Sequence, residues 1–145
     1  MCVREAHFCI QYANNLKGEK RMKKIKVVFL EPLKVAEVRE IDASLEGMQK
    51  AVRGCIEAAY YFEGTECVIC NDEGKINGMS LNRGVYADDG SLIDIIAGPA
   101  FICDCSGENF DSLSDELIEK YLEEFRYPEV FFNIKGEITG IKIID

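Results

Sequence analysis

The sequence predicts an α+β domain: a largely antiparallel sheet with two helices, near residues 44–53 and 113–126, and a C-terminal hairpin. Three observations lead there. Apolar runs of strand length, bounded by turn residues, recur along most of the chain. Only two segments space their apolar residues as a helix requires. The final stretch, "EVFFNIKGEITGIKIID", reads as two strands around Lys135-Gly136.

The elements follow in order from Lys24. "IKVVFL" is a buried-strand pattern stopped by Glu31-Pro32. "KVAEVREID" alternates Val35, Val38 and Ile41 with charge, as a half-exposed strand pairing back on the first. In "DASLEGMQKAVRG", Ser44 is placed to cap a helix, Leu45, Met48 and Val52 recur at helical spacing, and Gly54 supplies the stop. "CIEAAYYF" and "CVICN" are two strands joined by "EGTE". Asp89-Gly90 marks a turn, and the long apolar run after it breaks at Gly98-Pro99, where the proline predicts a bulge or an edge. In "DSLSDELIEKYLEEFRYP", Ser112 and Asp115 resemble a capping box. Leu113, Leu117, Tyr121 and Phe125 form one apolar stripe, and Pro128 ends the helix.

Residues 1–21 differ from the rest. They show no sustained amphipathic period, no long apolar core and no small-residue cleavage site, so they are neither a secretory signal nor a clear helix. The strand pattern starts directly after Met22, and Gly18-Glu19-Lys20-Arg21 can be written in purine codons alone, like a translated ribosome-binding site. The expectation is a single domain over 22–145 behind a leader, 1–21, that is non-native or disordered.

The formal charge of −9 disfavours direct binding to nucleic acid or to a membrane surface, since phosphates require clustered Lys and Arg. No apolar run approaches the ~18 residues of a membrane span. Seven cysteines, an odd number, in a chain without a secretory signal read as reduced thiols. Cys67, Cys70, Cys103 and Cys105 invite a zinc reading, but "CVIC" is extended and apolar. Cysteines three apart on a strand point to opposite faces, so no metal site is expected. No cofactor is expected either.

Enzyme signatures are missing. His7, the one histidine, lies in the leader, so the domain has no Ser-His or Cys-His pair. There is no H-E-x-x-H, no phosphate-binding glycine loop and no calcium loop around Asp88-Asp89-Gly90. The expectation is a protein that binds rather than catalyses.

The stretch "EGKINGMSLNR" is the most suggestive. Asp72 to Lys75 is turn chemistry, but Asn77, Asn82 and Arg83 are not explained by it. Lys75 and Arg83 are the only basic residues between Arg53 and Lys120. Arg83 offers a planar fork for phosphate and the asparagines offer both donor and acceptor. A candidate ligand site is therefore Lys75, Asn77, Asn82, Arg83, Tyr86 and Asp94, with Tyr86 or Tyr60 stacking on a base. The alternative is structural: Asn82 caps a turn and Arg83 pairs with Asp94 or Glu57.

"LEGMQKAVRGCIEAAYYF", "CNDEGKINGMSLNR", "DIIAGPAFI" and "SLSDELIEKYLEEF" together resemble a family of small domains of unknown function. That family is carried by phages, prophages and conjugative elements of gut Firmicutes, at times as a module of counter-defence polyproteins. The resemblance implies a mobile-element product in the cytoplasm of a bacterial host. It supplies no catalytic residues. The leading expectation is a counter-defence protein that sequesters a small nucleotide-derived immune signal. A homo-oligomer is expected with it, since the apolar "GIKII" edge leaves room for pairing with a second copy. The alternatives are an acidic inhibitor of a host protein, using Asp111, Asp115, Glu116, Glu119, Glu123 and Glu124 as a DNA mimic, or a ligand-free accessory module.

Overall fold

The computed structural model describes residues 23–144, so the leader expected over residues 1–21 lies outside the described residues. The elements run β1 (Lys24–Leu30), β2 (Glu37–Asp42), α1 (Leu45–Val52), β3 (Ile56–Ala59), β4 (Glu66–Asn71), β5 (Leu81–Tyr86), β6 (Leu92–Ala97), β7 (Ala100–Asp104), α2 (Asp115–Glu124), β8 (Glu129–Ile134) and β9 (Glu137–Lys142). Five strands form one sheet in the order β2-β1-β7-β4-β3, antiparallel throughout. β5–β6 and β8–β9 are separate antiparallel hairpins. The predicted α+β class, the two helices and the terminal hairpin are all present.

The central strands are apolar at consecutive positions because the sheet is covered on both faces. Val27 packs toward α1 with Met48, Val52, Ile69 and Phe101. Val28, its neighbour, packs the other way with Val68, Ile102, Ile118 and Tyr121, under α2 and the β5–β6 hairpin. Antiparallel sheets commonly leave one face wet and then alternate; two covers remove that alternation. No helix among the described residues is long and apolar enough to cross a membrane.

Local chemistry sets the boundaries, with three departures from expectation. The α2 cap is Ser114, whose Oγ accepts from the Leu117 amide, rather than Ser112. Ser112 instead accepts the Lys26 amide at 2.9 Å, tying the approach to α2 onto β1. α1 is capped by Ser44 as predicted, but its left-handed terminal residue is Arg53 (φ 64°), one position before Gly54. Gly98 (φ 81°) and Pro99 make neither a bulge nor an edge. They turn the corner from β6 into β7, the middle strand of the sheet, so the proline's missing N–H falls outside the ladder.

Candidate binding cleft

Asn82 and Arg83 belong to the interior. Both are fully buried, although they are neighbours on one strand. The β5–β6 ladder shifts register between Leu81 and Arg83, which lets two successive side chains turn inward. Asn82 Nδ2 donates to the carbonyls of Leu30 and Gly98, each at 2.8 Å, joining the end of β1 to the β6–β7 corner. Its Oδ1 accepts from Arg83 Nη1 at 2.9 Å. Arg83 Nε donates to the Phe125 carbonyl at 3.0 Å and Nη2 to the Lys34 carbonyl at 2.6 Å. Nη1 also reaches the Glu31 carbonyl at 3.3 Å.

The guanidinium is enclosed by the protein and donates to backbone carbonyls and to Asn82 Oδ1, with no carboxylate among its hydrogen-bond partners in the described residues. Phe125 closes α2, whose last turn has no basic residue of its own. Arg83 brings a positive charge from β5 to that negative helix end. Burial lowers its pKa to about 10, and the charge of Glu129 opposes the shift.

The remaining expected residues lie elsewhere. Lys75 is ion-paired with Asp94, whose other oxygen accepts from Tyr61 Oη at 2.6 Å. Burial pushes the Asp94 carboxyl up, but hydrogen bonds from Lys75, Tyr61 and the Ile95 amide outweigh it and hold it below its ordinary range. Asn77 is exposed in the turn after β4. Tyr86 donates its hydroxyl to Glu129 Oε2 at 2.7 Å. The six residues do not converge on one pocket. Beside Gly78, Met79 and Ser80 lies a shallow groove of about 410 Å³, flanked by Lys34, Arg53 and Glu31.

Tyr86 opens onto a larger cleft of about 500 Å³, walled by β5, α2, the β3–β4 loop and the start of β8. Two buried glutamates, Glu66 and Glu129, line it. Each is held by a tyrosine: Tyr121 Oη donates to Glu66 Oε2 at 2.6 Å, as Tyr86 does to Glu129. Glu129 Oε1 also accepts the Gly84 amide at 3.3 Å. Glu63, Asp88 and Glu124 add acidity to the walls, against Lys120 and Lys142. Burial and the bonded carboxylate push Tyr86 up to about 12, and the same two causes raise Tyr121 further. Both hydroxyls therefore stay protonated at neutral pH and act as donors. Gly140 on β9 makes room for this pair, since a Cβ there would collide with Tyr86 Oη and Glu129 Oε2.

Sequence reasoning missed Glu66, Glu129 and Tyr121. Glu66 does carry a signal, a lone carboxylate leading into the apolar run "CVIC". Tyr121 is hidden by its place in the apolar stripe of α2.

The four cysteines divide as strand geometry predicts. Cys67 faces the α1 side and Cys70 the α2 side. The expectation of reduced thiols fails at one pair. Cys67 and Cys105 are joined in a disulfide, because the β4–β7 register brings the end of β7 back beside the start of β4.

A family profile described as "Domain of unknown function (DUF3846)" matches residues 25–126. The chain belongs to that family. No curated protein and no solved structure matches the chain. The DUF3846 match includes Tyr61, Glu66, Arg83, Tyr86 and Tyr121 but stops before β8, so Glu129 and Lys142 reach the cleft from outside the matched span.

Proposed function

We propose that this DUF3846 domain is a binding protein that sequesters a small ligand carrying an amino or other cationic group. One observation carries the reading: the larger cleft is lined by two buried glutamates, each oriented by a tyrosine hydroxyl. A cleft of about 500 Å³ suits a small molecule. Its carboxylates outnumber its lysines, so a cation gains and a polyphosphate is repelled. The tyrosines are locked as donors, which favours holding a ligand over moving protons. Sequestration agrees with the counter-defence setting that the phage-family resemblance implies.

The nucleotide-signal reading keeps one supporting observation, the groove flanked by Lys34 and Arg53 beside Gly78–Ser80. Calorimetry separates the two. Polyamines and arginine-like amines are expected to bind in a salt-sensitive manner, at least about tenfold more weakly in Glu129→Gln and Glu66→Gln. Binding of cyclic nucleotides alone, lost in Arg53→Ala and kept in Glu129→Gln, would transfer the function to the groove. Binding of neither class overturns both readings.

A further inference from the structure

We propose that Cys67, Cys103 and Cys105, when reduced, form a site for one soft d10 cation of the zinc and cadmium class. The sequence-apparent pairing, Cys67-x-x-Cys70, is not the one that folding assembles. Antiparallel pairing of β4 with β7 sets Cys67 directly opposite Cys103. Cys105, two residues beyond Cys103, returns to the same face. The Cys105 amide is fastened there by the Thr65 carbonyl at 2.9 Å. As a result the three sulfur atoms all lie within 4.8 Å of one another.

Zinc–thiolate bonds of about 2.3 Å in tetrahedral geometry place sulfurs about 3.8 Å apart, so once the Cys67–Cys105 bond is reduced those two sulfurs must separate to that spacing. An all-sulfur donor set selects zinc, cadmium or copper(I) over magnesium and calcium. Cys67 and Cys103 are fully buried, whereas Cys105 is partly exposed at the rim of the cluster, the side from which an ion would enter.

The Cys67–Cys105 disulfide blocks this site by leaving one free thiol of the three. A dithiol reductant opens it: two electrons and two protons pass to the protein, giving two thiols, and the dithiol closes to its own disulfide. Binding a divalent ion through three thiolates then releases three protons.

The test uses the full chain carrying Cys2→Ser and Cys9→Ser, so that only cysteines of the domain respond. Reduced anaerobically and titrated with Cd²⁺, it should develop a thiolate-to-cadmium charge-transfer band that saturates at one ion per chain. Cys105→Ser, at the rim, should abolish the band while melting cooperatively. Cys70→Ser, on the opposite sheet face, should keep it. No saturable band in the reduced protein overturns the proposal, as does a band that survives Cys105→Ser or vanishes in Cys70→Ser. A disulfide-only role is the conclusion if reduction restores the thiols and no ion binds.

Discussion

Arg83 shows how one side chain can serve three segments. Its donors satisfy the carbonyl that ends α2 and two carbonyls of the β1–β2 loop, while Asn82 beside it joins β1 to the β6–β7 corner. Arg83→Ala would strand the buried Phe125 carbonyl, free the part-buried Glu31 and Lys34 carbonyls and empty a fully buried side-chain site, and is expected to cost ~3–5 kcal/mol in chemical denaturation. Arg83→Lys should recover only part of this, because an ammonium lacks the fork that spans separated acceptors. A residue serving only an external ligand would shift stability by less than ~0.5 kcal/mol, so this measurement decides between the two roles.

At the scale of elements, α2 and the terminal hairpin matter most. Ser114 caps α2, so Ser114→Ala should cost ~1 kcal/mol by urea denaturation. Asp115, the first residue of α2, contributes a favourable charge in the first turn, so Asp115→Ala should cost less than ~0.5 kcal/mol; a loss equal to that of Ser114→Ala would restore the capping box predicted around Ser112. The hairpin is bound mainly through β8, where Glu129 meets β5. A ribbon of two strands is marginal alone, so this contact holds it. Gly140→Ala would drive a methyl into the Tyr86–Glu129 pair. It should destabilise the fold by ~1–3 kcal/mol and weaken amine binding together with it.

Over the whole molecule, the tyrosine–carboxylate pairs couple stability to alkaline pH. Tyr86 ionises near 10 when unfolded and near 12 when folded, so its contribution is complete below about pH 10 and is lost as pH rises toward 12. Tyr61 and Tyr121 are raised by the same causes, burial first and a bonded carboxylate second, and add to that loss. Arg83 works the other way, since its lowered pKa makes its charge a cost that lifts above about pH 10. Three tyrosines against one arginine predict a net fall in stability across that window. Urea midpoints measured across it should fall less steeply in Tyr86→Phe, although that variant starts lower because Glu129 loses a donor.

The sequence by itself determined both helices and most strands, because burial and capping are written locally; Leu81–Arg83 of β5 read as a connection, and β6 and β7 read as one interrupted strand. Apolar runs marked the strands, Ser44 and the stripe from Leu113 to Phe125 marked the helices, and Lys135-Gly136 marked the last turn. It also placed Cys67 and Cys70 on opposite faces, since side chains alternate along a strand. Tertiary structure alone decided the site. Whether Arg83 meets phosphate, carboxylate or backbone depends on what folding brings alongside β5, and the Phe125 carbonyl stands 42 residues away. Glu66 meets Tyr121 across 55 residues and Glu129 meets Tyr86 across 43. The three sulfurs converge only through the β4–β7 register. Spacing along a chain specifies which face a residue occupies; which groups share a cavity is set by the packing of faces far apart in sequence.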